Sequence, residues 1–137
     1  MKQHFISLVL FFSFLLSGCM PLKQTEVTSP NGHIRLAFAL DGNNRMTYQV
    51  SVGDTVFIAP SLLGFTAKDG VNLAEGFKVI NTDFTTYDET WTQPWGENKT
   101  IRNHYNEMAV HLSDTTNTQL TLRFRIFDDG LGFRYEY

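Results

Sequence analysis

The segment from Trp91 to Glu107 contains the side chains of this chain that could recognise a sugar. It is rich in turn-forming and amide residues, and its two tryptophans, Trp91 and Trp95, lie four residues apart. Because the face of an indole ring carries negative charge density, it can stack on the C–H face of a pyranose ring. The pattern therefore predicts that at least one tryptophan contacts a sugar. The alternative is that both tryptophans plug the end of the fold.

Three of the charged side chains in this segment follow shortly after the second tryptophan. Glu97, Lys99 and Arg102 could hold sugar hydroxyls through charge-assisted hydrogen bonds. The alternative interpretation is a solvated loop whose local ion pairs contribute little to stability. Together with the two tryptophans, these three residues are the substrate-binding candidates of the sequence.

His104, Asn106 and Glu107 could be taken for a metal-binding cluster. Calcium prefers several oxygen ligands, and this stretch offers few of them in one place. On a strand, His104 and Asn106 would share one face, while Glu107 would point to the other. We therefore expect polar residues at a strand edge and predict no metal ligand in this chain.

Charged residues near the end of the chain follow turn and strand patterns. Asp128-Asp129-Gly130 is typical of a hairpin turn and does not indicate a catalytic carboxylate pair. Arg123, Arg125 and Arg134 are expected on the outer face of their strands. Arg123 and Arg125 share one strand face, so the alternative is that they line an interface with another domain.

The first eighteen residues have the composition of a secretory leader. Met1–His4 carries the positive charge, residues 5–16 are apolar, and small residues precede Cys19, the only cysteine of the chain. The arrangement is similar to a bacterial lipoprotein cleavage box. We therefore expect residues 1–18 to be a helical signal peptide and Cys19 to be lipidated, which anchors a protein stably when several acyl chains are attached. The alternative is an ordinary signal peptide with a stray cysteine.

The residues after Cys19 and the overall charge indicate where the protein acts. Residues 19–28 are polar and lack periodicity, which predicts a tether. The 137-residue chain has a formal net charge of −3 and no stripe of lysine and arginine, which a nucleic-acid partner would require. We therefore expect a lipid-anchored protein of the bacterial cell envelope, in the outer membrane or periplasm, with no nucleic-acid partner.

Alternation of apolar and polar residues with period two predicts an all-β fold. Ile34–Leu40 and Met46–Val52 alternate around an Asp-Gly turn, as strands of a hairpin do. Pro60 argues against a central strand in the next piece, and residues 77–87 indicate a long, imperfect strand. Further alternating runs lie at 108–112, at 120–126 and from 131 onwards. Short strands at regular turn spacing predict an antiparallel β-sandwich or a barrel.

Two long motifs resemble the N-terminal domain of glycoside hydrolase family 97. One is the segment Trp91–Glu107, which contains Trp-Gly-Glu-Asn-Lys and Arg-Asn-His-Tyr-Asn-Glu, and the other is Phe127–Tyr135. The opening turn Ser29-Pro30-Asn31-Gly32 is also similar. The resemblance covers roughly Glu26 to Tyr137. It implies that residues 29–137 are an incomplete N-terminal β-sandwich of the supersandwich type.

The resemblance also implies a larger protein. In the family, this domain precedes a (β/α)8 catalytic barrel and a small C-terminal β-domain. The enzymes are exo-acting α-glucosidases and α-galactosidases, some inverting and some retaining, that use carboxylate chemistry and bind calcium near the substrate. This chain ends at Tyr137 within a strand pattern. We therefore expect a fragment without the barrel, with no catalytic residue and no cofactor of its own, and inactive alone.

Three functions compete on this basis. The leading hypothesis is part of the substrate pocket of an α-glycosidase, with an α-linked oligosaccharide and the missing barrel of the same protein as partners. The second is a stand-alone carbohydrate-binding surface lipoprotein without catalysis. The third is a structural lipoprotein with no ligand, which would leave the composition of Trp91–Glu107 unexplained.

Overall fold

A computed structural model describes residues 24–137, which form two antiparallel β-sheets. The first sheet has the order β1-β2-β3-β4, with β1 Thr25–Thr28, β2 Ile34–Leu40, β3 Met46–Val52 and β4 Thr55–Leu62. The second sheet has the order β5-β6-β7-β8, with β5 Lys78–Thr92, β6 Thr100–Ser113, β7 Gln119–Ile126 and β8 Leu131–Glu136. Neighbouring strands are consecutive in the chain, so each sheet is a meander. The predicted all-β, antiparallel sandwich is confirmed.

The signal peptide predicted over residues 1–18 and the lipidated Cys19 lie outside the described residues. Within residues 24–137, no helix is long and apolar enough to cross a membrane.

The tether predicted over residues 19–28 is wrong at its end, because Thr25–Thr28 form β1. This strand pairs with β2, and Val27 lies opposite Leu36 and is buried in the core. A strand of four residues is too short to show a clear alternation in the sequence. The β-sandwich therefore begins at Thr25 and not at residue 29.

The hairpin predicted around Asp41 is confirmed. Strands β2 and β3 pair along their whole length without a register shift. The Asp41 carboxylate accepts hydrogen bonds from the backbone N–H groups of Asn43 and Arg45, each at 2.9 Å. The aspartate that the sequence places at the start of the turn thus closes it with its own side chain.

Apolar side chains from the facing sides of the two sheets form one core. Phe38 of β2 and Phe124 of β7 meet there with ring centroids 6.1 Å apart, and both are almost fully buried. Leu73 and Phe77, in the segment that joins the sheets, are fully buried as well. Burial of each such side chain contributes about 1.5–3 kcal/mol. The other core residues are Val27, Leu36, Met46, Val50, Leu63, Met108, Val110, Leu112, Leu120, Leu122 and Ile126.

The two sheets are stacked with a lateral offset. β1 lies against β6 and β2 against β7, while Tyr48 of β3 packs on Phe133 of β8 with ring centroids 5.9 Å apart. Strands β4 and β5 therefore extend past the opposite sheet, at opposite sides of the sandwich. Pro60 lies in β4 at a sheet edge, as predicted. On the edge strand β5, Ile80 and Phe84 are 67% and 55% exposed.

Polar contacts join the two sheets at one end. The backbone N–H of Asn31 donates to Oδ1 of Asp128 at 2.8 Å, and these residues are 97 positions apart in the chain. The side-chain amide of Asn106 donates to the carbonyl oxygen of Thr28 at 2.9 Å. The turn at Asp128-Asp129-Gly130 connects β7 to β8, which confirms the predicted hairpin.

Phe124→Ala is expected to lower the free energy of unfolding by about 3–5 kcal/mol, because it leaves a cavity between the two sheets. Phe57→Ala is the matched control, since Phe57 on β4 is 76% exposed, and it should change stability by less than about 0.5 kcal/mol. Urea denaturation followed by circular dichroism measures both values. Similar losses in the two variants would contradict the assignment of the core.

Candidate functional site

The candidate site lies on a β-hairpin that projects from the second sheet. Strands β5 and β6 leave only residues 93–99 as a loop. Strand β7 pairs with β6 from Asn106 onwards, so the outer part of the hairpin has only two strands. The segment Trp91–Glu107, whose composition indicates turns, is therefore mostly strand. Cross-strand pairs such as Trp91 and Ile101 stabilise a sheet even where the sequence is polar.

A glutamine side chain holds the loop closed. The backbone N–H of Gln93 donates to the carbonyl oxygen of Lys99 at 3.0 Å, and its side-chain Nε2 donates to the carbonyl oxygen of Asn98 at 2.8 Å. A Cβ at Gly96 would come within 2.4 Å of Nε2 of Gln93. The φ of Gly96 is +132°, a conformation that residues with a side chain avoid. The loop is thus a fixed support for Trp95.

Both tryptophans are accessible to a ligand. Trp95, in the loop, is 87% exposed, and Trp91, near the end of β5, is 43% exposed. The alternative in which both tryptophans plug the end of the sandwich is therefore wrong. Trp91 and Tyr87, four residues apart on β5, share the face of the second sheet that is turned away from the first. This surface is called the outer face below.

The three charged candidates lie in different environments. Glu97 and Lys99 are exposed in the loop that carries Trp95. Arg102 on β6 binds Asp88 on β5 through two contacts, Nε to Oδ1 at 2.8 Å and NH2 to Oδ2 at 2.7 Å. The hydrogen bonds from Arg102 lower the pKa of Asp88, and those to Asp88 raise the pKa of Arg102. Arg102 therefore links the two strands of the hairpin, whereas Glu97 and Lys99 remain at its tip.

A row of aromatic rings on the outer face continues from the hairpin into the sheet. Tyr87 stacks on Tyr105 of β6 with ring centroids 5.2 Å apart, and Tyr105 packs against Phe127 at 5.2 Å. The guanidinium carbon of Arg125 lies 4.6 Å from the centroid of Tyr105, which is a cation–π contact. Sequence reasoning missed this aromatic row. The available signal was the spacing of Tyr87 and Trp91, which places them on one strand face.

The arginines expected on the outer face lie there and surround two carboxylates, forming an ion-pair network. The buried Glu107 accepts hydrogen bonds from NH1 of Arg123 and from Nε of Arg125. Glu136 accepts from Nε and NH2 of Arg123 and from Nε of Arg134. Burial alone would raise the pKa of Glu107, but the hydrogen bonds from Arg125 and Arg123 outweigh burial and lower it. Hydrogen bonds from Arg123 lower the pKa of Glu136 to about 2.

The described residues contain no cluster of acidic side chains that could bind calcium. Among residues 24–137, no three histidine, cysteine, aspartate or glutamate side chains come together in a group that could hold a metal ion. On β6, strand alternation separates His104 and Asn106 from Glu107, which the arginines engage. The calcium that the family resemblance implies therefore finds no cluster of carboxylates among residues 24–137.

The fold and the site define a class of protein, an antiparallel β-sandwich module with an exposed aromatic hairpin. Within that class, the chain belongs to glycoside hydrolase family 97: the family model "Glycosyl-hydrolase 97 N-terminal" matches residues 27–137. The match begins within β1 and includes both sheets and the hairpin. The resemblance that the motifs predicted is confirmed.

The chain spans less than a fifth of the length of the glycosidases that it matches. It is 26% identical over 113 residues to a retaining α-galactosidase of Bacteroides thetaiotaomicron, a match that covers 82% of this chain and 16% of that protein. A glycoside hydrolase family 97 enzyme of Pseudoalteromonas sp. strain K8 has been solved with panose and with acarbose. It is 31% identical, with a TM-score of 0.76 over 82% of this chain and 17% of that one. A β-arabinopyranosidase, 22% identical, shares the fold with a TM-score of 0.73 over 81% of this chain and 18% of that one.

Gly96→Ala is expected to loosen the loop that carries Trp95, because the new Cβ must displace the Gln93 amide and the φ of +132° strains an alanine. The cost of such a conformation is about 1–3 kcal/mol, and the backbone N–H of Gln93 should exchange faster with deuterium. Gly42→Ala is the control, since a Cβ there meets nothing within 4 Å. Equal exchange at Gln93 in Gly96→Ala and in the unchanged protein would show that the loop does not depend on this contact.

The ion-pair network makes the stability of the fold decline as the pH falls in the acidic range. The pKa of Glu136 falls from 4.5 to about 2 on folding, so its stabilising contribution is complete above pH 4.5 and is lost as the pH falls through this interval. Because the side chain is 35% exposed, solvent screening reduces the expected contribution to about 1 kcal/mol. Glu136→Gln should flatten the decline of the urea midpoint below pH 4.5.

The matched control for this measurement is Glu97→Gln, which removes an exposed carboxylate of the loop. Its urea midpoint should decline with falling pH as that of the unchanged protein does. If Glu136→Gln declines in the same way, Glu136 does not carry the acid sensitivity.

Proposed function

We propose that this chain forms part of the substrate pocket of an exo-acting α-glycosidase, which removes an α-linked sugar from the end of an oligosaccharide. Membership of the family supports the proposal, as do relatives described as glycosidases, one of them solved with panose and with acarbose. The proposed partner is a catalytic barrel of the same protein, which would supply the carboxylates for hydrolysis. The chain itself would bind and orient the substrate.

The observation that carries the proposal is the exposure of Trp95 at the tip of a projecting hairpin. A large aromatic ring that is 87% exposed loses the benefit of burial, so its presentation on a fixed loop favours a binding role. The loop hydrogen bonds of Gln93 reduce the conformational entropy that the loop would lose when a ligand binds. Glu97 and Lys99, in the same loop, carry the donors and acceptors that sugar hydroxyls need.

The outer face offers further contact area beside this tip. Trp91 and Tyr87 are 43% and 39% exposed on one face of β5, and four residues of a strand span about 13 Å. Their rings therefore extend over more than one pyranose unit. Tyr105 is 7% exposed, so it supports the ring of Tyr87 by stacking against it and is not itself a contact surface.

A second candidate function is carbohydrate binding without catalysis by a surface lipoprotein. The observation that favours it is that the hairpin, its closed loop and the aromatic row all come from residues 78–127 of this chain. Binding through Trp95 would then need no other domain. The two candidates differ in whether contacts at the hairpin affect hydrolysis or only binding.

We also propose that the protein is anchored in the bacterial cell envelope through lipid on Cys19, which remains a prediction from the sequence. Strand β1 starts at Thr25. The five residues 20–24 then connect the lipidated residue to the sandwich, a reach of at most about 18 Å in an extended chain. The anchored domain would therefore lie close to the membrane surface.

Trp95→Ala is expected to weaken binding to soluble α-glucans about fivefold, because stacking of an aromatic ring contributes about 1 kcal/mol. Affinity electrophoresis of the purified protein in gels containing the glucan measures the retardation. Phe57→Ala removes another exposed aromatic ring, far from the hairpin in the chain, and should migrate as the unchanged protein does. Equal retardation of Trp95→Ala and the unchanged protein would remove the hairpin from the proposed site.

A chimera distinguishes the two candidate functions. Residues 27–137 would replace the matching part of the Pseudoalteromonas enzyme, and hydrolysis of panose would be measured with and without Trp95→Ala. A lower kcat/KM in the Trp95→Ala chimera supports the pocket role. Unchanged kcat/KM in that chimera, with weaker glucan binding by the chain alone, supports the binding module.

A further inference from the structure

The ion-pair network on the outer face borders a cavity of about 180 Å³. Arg123 and Arg125 of β7, Phe127, and Gly132 and Arg134 of β8 line it. Within the network, three guanidinium groups accompany the two carboxylates of Glu107 and Glu136. The cavity therefore has one positive charge in excess, on a chain whose formal net charge is −3.

Arg125 is held in place on two sides. Its Nε donates to Oε2 of Glu107 at 2.7 Å, and its guanidinium lies over the ring of Tyr105 at 4.6 Å. Of the nitrogens of Arg125, only Nε donates a hydrogen bond to a carboxylate of the described residues. The two terminal nitrogens thus present a fixed pair of donors. A planar pair of this kind matches the two oxygens of a carboxylate.

Gly132 leaves space beside Arg125 on the neighbouring strand. It lies directly opposite Arg125 in the pairing of β7 and β8. A Cβ at this position would meet nothing within 4 Å, so any β-branched residue would fit the strand. The missing side chain opens the cavity between Arg125 and Arg134.

We propose that this cavity binds the carboxylate of an acidic sugar, a uronic acid unit. The arginines supply paired donors for the carboxylate, and the ring of Phe127 supplies an apolar wall for the C–H face of the sugar. The volume of about 180 Å³ is on the order of six water molecules at about 30 Å³ each, which suits a single sugar unit. This site is separate from the proposed hairpin site for a neutral α-linked oligosaccharide. It therefore goes beyond the proposed function.

A titration with sodium D-glucuronate tests the proposal on the full chain, with D-glucose as the neutral comparison. Two-dimensional NMR of arginine Nε–H signals reports on Arg125 directly. Glucuronate is expected to shift the Arg125 signal in a saturable manner, and glucose is expected to leave it unchanged. Equal shifts with both sugars, or no saturable shift with glucuronate, would overturn the proposal.

Gly132→Val fills the cavity without removing any charge, so it should weaken glucuronate binding at least tenfold. Gly130→Ala is the matched control in the adjacent turn, where a Cβ also meets nothing within 4 Å, and it should bind as the unchanged protein does. Gly132→Val keeps all three arginines. Its thermal midpoint shows whether the fold survives the substitution. A folded Gly132→Val protein that binds glucuronate normally would overturn the proposal.

Two further measurements define the ligand. Arg125→Lys keeps the charge but loses the paired donors, so glucuronate binding should fall about tenfold; unchanged affinity would exclude recognition by a paired contact. Acetate should bind more weakly than glucuronate, and equal affinities would exclude recognition of the sugar ring. Trp95→Ala should leave glucuronate binding unchanged, so failure at this cavity can be told apart from failure of the hairpin site.

Discussion

The structure depends on strand β6, because its side chains are buried on both faces. One face packs in the core between the sheets, and the other packs on the outer face. Met108, Val110 and Leu112 point inward and are almost completely buried between the sheets. Tyr105 and Glu107, one position out of phase, point to the outer face and are also buried, beneath a stacked ring and beneath arginines. Because side chains alternate along a strand, a register shift of one residue would exchange these two sets. The core and the ion-pair network therefore fix the same register.

Sequence periodicity was sufficient to predict a strand where one face of the strand is apolar and the other is polar. The hairpin of Ile34–Leu40 with Met46–Val52 was predicted with correct bounds. The edge position of the Pro60 strand was also correct, because proline has no backbone N–H to donate in a central strand. Strand β5 was only partly predicted, because its residues are exposed on both faces apart from Thr82. Without a buried face, a strand has no alternation to detect. Strand β1 was missed for a different reason, because its four residues are too few to show an alternation.

The candidate site was predicted in composition but not in arrangement. Trp91 and Trp95 were identified because tryptophan is rare and chemically distinctive, and both are accessible. The contacts of Arg102 with Asp88, and of Arg123 with Glu107, join residues 14 and 16 positions apart. Such contacts depend on the register in which neighbouring strands pair, and the sequence alone does not give that register. Tyr105 was overlooked because its neighbours in space belong to three different strands or turns.

The hydrogen bond between Asn31 and Asp128 has a consequence for the order of folding. Within each sheet, every strand pairs with its neighbour in the chain, so both meanders can form through short loops. Closing a loop of 97 residues costs about 2 kcal/mol more in chain entropy than closing a loop of about ten residues, and contacts of such separation slow folding. We therefore expect the bond to form late in folding, when the two assembled sheets dock. Its amide proton would become protected from exchange with water after those of either meander.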